Sequence, residues 1–145
     1  MKIFITRDVK TPQRGTEEAA GLDFFVPNDF SAVHLEPGRS IKIPSGIKMI
    51  LPKGKVGIFM NKSSHGSKGL FVGACVVDSD YRGEVHLDLH NVGLDDFIIK
   101  PGMKITQMLI QKVDVEPFET LSEEAFNLTL NTARGSGGFG STGGD

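Results

Sequence analysis

Glycine and proline interrupt this chain so often that few long regular elements fit between them. The 145 residues include 18 Gly and 7 Pro, which form turn signals at Glu36-Pro37-Gly38, Pro52-Lys53-Gly54 and Pro101-Gly102. Between the turns lie short runs in which apolar and polar residues alternate, the period of a strand with one buried face. Many short strands of this kind predict an all-β sandwich, jelly roll or barrel.

The alternation predicts strands at Lys2–Ile5, Ser40–Ile43, Gly46–Leu51, Val56–Met60, Gly83–His90, Asp96–Ile99, Lys104–Gln111 and Lys112–Pro117. Very little helix is expected. One short turn is predicted near Ser63, and another after Ser122, where Glu123 and Glu124 follow a capping side chain.

The last twelve residues differ from the rest in composition. From Arg134 the chain reads RGSGGFGSTGGD, with six glycines and Phe139 as its single apolar side chain. Such a stretch cannot hold a packed core. We therefore predict a folded domain over residues 1–133 and a flexible tail over 134–145. The tail is either a terminus without consequence or a lid that closes over an anionic ligand carrying an aromatic ring.

Charge and cysteine content exclude several classes of function. The formal charge of −2 lacks the basic excess of a nucleic-acid or anionic-membrane binder. Cys75 is the only cysteine, so a disulfide within the chain and a multi-cysteine metal site are excluded. MKIFITRD at the start is no signal peptide, and no apolar run approaches membrane-spanning length. We expect a soluble cytoplasmic protein.

Two segments carry candidate chemistry. Asp78 and Asp80, in GACVVDSDYRGE, share a face of an extended chain. Such a pair suits a hard cation or an oriented water nucleophile, although an ordinary turn is the alternative. Lys62-Ser63-Ser64 offers a cation and hydroxyls to phosphate, but a P-loop is absent.

A third pattern is the polar face of one predicted strand. Glu84, His86, Asp88 and His90 alternate with apolar residues. This face is a metal site or, more plainly, a solvated or subunit-facing surface.

Five short motifs together resemble those of the trimeric dUTPase family, in family order. They are AGLDFF from Ala20, KSSHG from Lys62, GACVVDSDYRGEV from Gly73, GMKITQMLI from Gly102 and RGSGGFGSTG from Arg134. The third and fifth are the most diagnostic. The chain departs from the family pattern at Lys62, which replaces Arg and loses its bidentate fork. It also departs at Cys75 with Val76, and at Phe24.

The resemblance implies a jelly-roll-like distorted barrel and hydrolysis of dUTP to dUMP and pyrophosphate. This reaction limits uracil in DNA and supplies dUMP for thymidylate synthesis. Asp78 would help to deprotonate the water that attacks the α-phosphorus. Mg²⁺ would neutralise the triphosphate, with Asp23 supporting its water shell. Asp80 is a less certain helper.

Resemblance also assigns substrate contacts and assembly. Tyr81 would pack under the deoxyribose and exclude a 2′-hydroxyl, while Gly73 to Val77 would read uracil through backbone groups. The other implied substrate-binding residues are Lys62, Ser63, Ser64, Gln107, Arg134, Phe139, Gly140, Ser141 and Thr142. Phe139 would stack on the uracil. Each site would combine three subunits of a homotrimer, with neither nucleic acid nor membrane as a direct partner.

Two other functions remain open on the sequence. One is a binding module of the same fold that senses dUTP for a protein partner, which extra inserted segments would favour. The other is dCTP deaminase, which needs a glutamate near the base and lacks a GGFGSTG tail.

Overall fold

The computed structural model describes residues 1–138. Contacts divide the chain into two compact units, Met1–Asp114 and Val115–Asp145. The predicted change from folded domain to tail at residue 134 falls within the second unit and stays a prediction.

Eleven strands and one short helix make up the first unit. The elements are β1 (Lys2–Ile5), β2 (Gln13–Arg14), β3 (Leu22–Phe25), β4 (Val33–Leu35), β5 (Ser40–Ile50), β6 (Lys55–Asn61), α1 (Ser63–Gly66), β7 (Leu70–Val72), β8 (Val76–Val77), β9 (Glu84–Asn91), β10 (Phe97–Ile99) and β11 (Lys104–Lys112). In the second unit, the helix α2 spans Glu123–Asn127.

The strands form three sheets in which every neighbouring pair is antiparallel. The order in the four-stranded sheet is β1-β5-β9-β7, and in the five-stranded sheet it is β2-β3-β11-β6-β8; β10 pairs with β4. The chain has the predicted all-β, jelly-roll-like fold. The two helices of the described residues are a single turn each.

Alternation along the strands creates the core. In β9, Val85, Leu87 and Leu89 are buried while the polar residues between them stay partly exposed. Side chains from the four-stranded and five-stranded sheets form one apolar cluster. Within it the rings of Phe24 and Phe59 meet edge to face, with centroids 4.9 Å apart. Phe24, a departure from the family pattern, is therefore a core residue.

Most predicted elements are confirmed, with two corrections. The predicted strands Ser40–Ile43 and Gly46–Leu51 are one strand, β5, with an irregularity between Pro44 and Lys48 in its pairing with β9. Lys112–Pro117 is not a strand, since β11 ends at Lys112. Alternation produces a strand only where a neighbouring strand takes up the backbone hydrogen bonds. Five short strands were not predicted, namely β2, β3, β4, β7 and β8.

Both predicted helical turns are present. In the second unit, the Ser122 hydroxyl accepts a hydrogen bond from the Ala125 amide at 3.2 Å, the expected N-cap. Neither helix of the described chain has the length and apolar character needed to cross a membrane.

Candidate functional site

A buried carboxylate organises one end of the five-stranded sheet. Asp23 on β3 is 5% exposed. Its Oδ1 lies 2.6 Å from the Lys62 ammonium, and its Oδ2 lies 2.9 Å from that of Lys104. Two cations therefore share one anion, which leaves a local surplus of positive charge. Lys104 was not singled out from the sequence, because a lysine that opens a strand carries no signal of its tertiary partner.

The lysines keep Asp23 ionised. Burial by itself raises the pKa of Asp23 by disfavouring the charged form. Hydrogen bonds from Lys62 and Lys104, together with their charges, act in the opposite direction and prevail. The pKa of Asp23 is therefore lowered below its usual value, and the carboxylate holds both lysines in place at neutral pH.

Gln107 is fixed beside this cluster. On β11 it pairs in register with Asp23 on one side and with Met60 on the other. Its side-chain amide donates to the Asn61 carbonyl at 2.9 Å. A Cβ on Gly21 would overlap the Gln107 side chain. Gly21 is thus the small residue that admits Gln107.

The helix α1 begins directly after Lys62. Ser63 and Ser64 in its single turn are exposed. The ring of His65 is held by the Lys104 carbonyl, 2.9 Å from its Nε2, and packs edge to face on Phe97. The structure therefore brings together Asp23, Lys62, the two serines and Gln107. We call Asp23, Lys62 and Lys104 the cation cluster; the hydroxyl donors lie nearby.

A second group of predicted residues lies on the loop where the chain leaves the four-stranded sheet. Pairing of β7 with β9 ends at Val72. The Gly73 amide then donates to the Asp88 carbonyl at 2.8 Å, and the Ala74 amide to the Asp88 carboxylate at 3.0 Å. From Val76 the chain pairs with β6 in the five-stranded sheet. We call Gly73–Cys75 the crossover loop, and the whole stretch Gly73–Tyr81, which continues through β8 and the turn after it, the hairpin.

Tyr81 is the last residue of the turn that follows β8. Its amide donates to the Asp78 carbonyl at 3.2 Å, and its hydroxyl donates to the Glu84 carbonyl at 2.9 Å. A Cβ on Gly83 would overlap the phenol ring, so glycine is what allows the ring to lie in this position. The Asp78 and Asp80 side chains are exposed, which leaves their carboxylates accessible to a ligand or water.

A cavity of about 200 Å³ lies between β8 and Tyr81. It is lined by Lys42, Phe59, Ala74, Val76, Val77, Tyr81, Glu84, Val85 and His86. One wall is backbone and aliphatic surface, and another is the aromatic ring. Such a cavity suits a small planar group that hydrogen-bonds to main-chain atoms.

The two groups of residues occupy opposite ends of β6. Val77 pairs with Gly57 near the start of β6, whereas Lys62 follows its last residue, Asn61. Asp78 and Lys62 are six strand positions apart, which at about 3.3 Å per residue separates them by roughly 20 Å. Within one chain, the backbone positions of Asp78 and Lys62 therefore lie in separate regions.

Comparison with known proteins identifies the family. The dUTPase family model matches residues 7–143. The chain belongs to the dUTPase family. Deoxyuridine 5'-triphosphate nucleotidohydrolase from Desulfitobacterium hafniense is 40% identical over 138 residues, covering 92% of this chain and 87% of the relative. The same enzyme from Rickettsia bellii is 38% identical over 137 residues, with the same coverage.

Solved dUTPase structures share the fold. The dUTPase of Staphylococcus bacteriophage 80alpha, a variant with dUpNHpp, superposes with a TM-score of 0.85 at 21% identity, covering 99% of this chain and 98% of that one. The phage phi11 dUTPase of S. aureus, in a variant that reveals the coordination of a structural Mg(II) ion, gives 0.75 at 19% identity, covering 84% and 96%.

The dUTPase motif at the C-terminus lies partly outside the described residues. Arg134 is described and donates from Nε to the Gly137 carbonyl at 3.1 Å, a contact within the second unit. Phe139, Gly140, Ser141 and Thr142 lie outside the described residues. Their predicted contacts with substrate stay predictions.

The side chains of the described residues determine how a magnesium ion could be held. Among residues 1–138, no cluster of three His, Cys, Asp or Glu side chains could hold a metal ion. The polar face of β9 is therefore not a metal site within one described chain. Both oxygens of Asp23 contact lysines, and its predicted support of a metal's water shell stays a prediction. The donors fit an ion held mainly by a triphosphate and water.

Proposed function

We propose that the protein is a dUTP diphosphatase that hydrolyses dUTP to dUMP and pyrophosphate, by attack of water on the α-phosphorus. The observation that carries the proposal is the position of Asp78. This exposed carboxylate directly follows the hairpin strand β8, whose Val77 lines the cavity beneath Tyr81. A base in that cavity, with its sugar on Tyr81, brings the first phosphate towards Asp78.

Backbone groups of the hairpin read the base. Uracil presents both an acceptor and a donor on its edge, so fixed main-chain amides and carbonyls discriminate it from cytosine. Gly73 allows the close approach of the backbone, and Val77, which is buried, closes the far side. The tight hairpin also excludes the methyl group of thymine by overlap.

Tyr81 selects the sugar by steric exclusion. Its ring is held at one end by the hydroxyl bond to Glu84 and lies against the backbone at Gly83. A ring fixed in this way leaves no room for a 2′-hydroxyl, which excludes UTP.

Cations and donors at the other site region hold the triphosphate. Lys62 and Lys104 exceed Asp23 in charge by one, and this surplus attracts an anionic ligand. Ser63, Ser64 and Gln107 add hydrogen bonds to phosphate oxygens. Lysine at position 62 acts as a point charge rather than a bidentate fork.

Catalysis requires an oriented nucleophile and neutralised phosphate charge, with little covalent work by the protein. Asp78 orients the attacking water and takes up its proton. Magnesium, when bound to the triphosphate, supplies charge neutralisation at the oxygens of the leaving group. Asp23 would support the water shell of the metal or order the neighbouring loops.

Each site is shared between subunits of a homotrimer. The separation of roughly 20 Å between Asp78 and Lys62 along β6 supports this step, because one substrate must reach both. One protomer then supplies the hairpin and Asp78, and a second supplies the cation cluster. Exposed apolar side chains on the strands, such as Phe4 and Phe71, suit burial between subunits.

The C-terminal motif completes the site in this proposal. Arg134 contacts phosphate, Phe139 stacks on the base, and Gly140, Ser141 and Thr142 bind the terminal phosphate. Closure of this segment excludes bulk water from the reaction.

Pyrophosphate release from dUTP, dCTP, dTTP and UTP with Mg²⁺ tests the proposal. We expect release from dUTP alone, and its loss in Asp78→Asn. Because Asp78 is exposed, this variant should keep the wild-type melting temperature. Folded wild-type protein that releases no pyrophosphate from dUTP would overturn the assignment and leave a ligand-sensing module as the better reading.

A further inference from the structure

A residue of the neighbouring strand β9 holds the start of the crossover loop. Asp88 on β9 accepts from the Gly73 amide with its backbone carbonyl and from the Ala74 amide with its carboxylate Oδ2. The carboxylate is 20% exposed. Two consecutive amides of the loop therefore depend on a single residue, and the second amide depends on its side chain.

The surroundings of Asp88 leave the carboxylate little freedom. Its Oδ1 lies 3.6 Å from Nε2 of His90, and Lys42 is its cross-strand partner on β5. A Cβ on Gly73 would overlap the His90 ring and lie 2.5 Å from Asp88 Oδ2. The loop backbone thus lies directly on the Asp88–His90 pair, and glycine at position 73 is what permits it.

The far end of the loop has a different anchor. The Cys75 carbonyl accepts from the Phe59 amide at 2.8 Å, after which Val76 and Val77 pair with β6. At the Gly73–Ala74 peptide, the Ala74 amide donates to the Asp88 carboxylate at 3.0 Å, while the Gly73 carbonyl accepts from Sγ of Cys75 at 2.9 Å. Asp88 is therefore the side chain that fixes the amide of this peptide from β9. Ala74 also lines the cavity beside Tyr81, whereas Asp88 does not line it.

We propose that Asp88 is a positioning residue for base selection, which acts by holding the Ala74 peptide at the wall of the base cavity. This inference rests on the proposed function, in which main-chain groups of the hairpin read uracil. If the peptide turns, its donor and acceptor no longer match the uracil edge, and dUTP loses its advantage over dCTP. The phosphate contacts and Asp78 lie elsewhere and are unaffected.

Kinetics of two substitutions separate this function from a general effect on folding. We expect Asp88→Ala to raise the KM for dUTP about tenfold with kcat close to wild type, and to lower the ratio of kcat/KM for dUTP over dCTP. Asp88→Asn keeps an oxygen that can accept from Ala74, so it should restore KM to within about twofold. Asp96→Ala, which removes an exposed carboxylate on another strand connection, is the matched control.

Amide hydrogen exchange tests the contact without relying on activity. Ala74 is exposed, so its amide should exchange rapidly unless Asp88 holds it. We expect slow exchange in wild type and Asp88→Asn, and fast exchange in Asp88→Ala. Fast exchange in wild type, or wild-type KM and base selectivity in Asp88→Ala, would overturn the inference. If both variants showed the same rise in KM and the same fall in kcat and melting temperature, Asp88 would be a structural residue only, and the inference would be wrong.

The two proposals fail in different ways. If wild-type protein does not hydrolyse dUTP, the proposed function is wrong, while the exchange of the Ala74 amide still decides whether Asp88 holds the loop. If wild type is active and selective but Asp88→Ala matches it, only the inference about Asp88 is wrong.

Discussion

The Asp23 carboxylate is almost out of contact with water and binds two lysines, so its charge matters to folding. Replacing it by asparagine keeps the shape but leaves Lys62 and Lys104 without an anion. Fully buried pairs cost about 3–5 kcal/mol when one partner is removed. Lys104 is 41% exposed and solvent screens part of this, so we expect Asp23→Asn to lower the free energy of unfolding by about 2 kcal/mol. Urea denaturation at pH 7 measures it, with Asp29→Asn, an exposed ion-pair partner of Arg7, as control.

The lowered pKa of the same carboxylate predicts that acid destabilises the protein. The pKa of Asp23 is lower in the folded state than its usual value, so folding favours the ionised form. The resulting stabilisation is complete above the unfolded pKa of about 3.9 and is lost as pH falls through the lower folded pKa. Denaturation curves from pH 6 downwards should show this loss in wild type. If Asp23→Asn lost stability over the same interval with the same slope, the ion pairs would not be its source.

Gly83 sets the position of the Tyr81 ring. A methyl group at position 83 overlaps the phenol ring, but the ring is partly exposed and can move aside, so the fold should survive. We expect Gly83→Ala to keep the melting temperature within a few degrees and to reduce the preference for dUTP over UTP about tenfold. Tyr81→Phe, which removes the hydroxyl bond to Glu84 but adds no overlap at position 83, is the comparison. Unchanged rejection of UTP by Gly83→Ala would show that the ring position does not select the sugar.

Among the elements, β5 shows what alternation cannot predict. The sequence predicts two strands here, Ser40–Ile43 and Gly46–Leu51, because the alternation breaks at Pro44-Ser45, yet β5 continues through this point. Gly46 has a φ of +75°, and its amide donates to the Glu84 carboxylate at 2.7 Å. The irregularity depends on a partner 38 residues away, and a pattern within one segment carries no information about it.

Two glycines with the same backbone conformation allow the cost of steric overlap at this irregularity to be separated from the cost of backbone strain. Gly38 and Gly46 both have φ +75°, but a Cβ at 38 meets open space while one at 46 lies 2.5 Å from Arg7 Cγ. Either alanine costs about 1–2 kcal/mol of left-handed strain. We expect Gly46→Ala to cost about 2 kcal/mol more because it also overlaps Arg7. Thermal denaturation of both variants measures the difference, and equal losses would mean that Arg7 moves aside freely.

The candidate site was partly predictable for a related reason. Asp78, Tyr81 and Lys62 stand in short motifs whose order along the chain is itself a signal. Lys104 also stands in a motif and Asp88 on the polar face of a predicted strand, but neither pattern shows the partner of the residue. Each partner is set only when strands distant in sequence pair: Lys104 meets Asp23 between β11 and β3, and Asp88 meets the crossover loop at the end of β7. Residues that position others are visible mainly in three dimensions.

At the scale of the whole molecule, the separation of Asp78 and Lys62 at the two ends of β6 determines how many chains must contribute to one site. If Asp78 and Lys62 act on one substrate and lie roughly 20 Å apart within a chain, the residues must come from different protomers. A protomer with Asp78→Asn still offers an intact cation cluster, and one with Lys62→Ala still offers an intact hairpin. Each variant alone should be nearly inactive.

Mixed assemblies of these two variants should therefore recover activity. After random subunit exchange at equal amounts, the chance that a site receives its hairpin from Lys62→Ala and its cation cluster from Asp78→Asn, the combination in which both are intact, is about one quarter. We expect pyrophosphate release to rise to about that fraction of the wild-type rate. Asp78→Asn mixed with Tyr81→Ala is the matched control, since both substitutions fall on the same hairpin and no exchange repairs it. Recovery in the control pair as well as the test pair, or in neither, would contradict sites that combine one protomer's hairpin with another's cations.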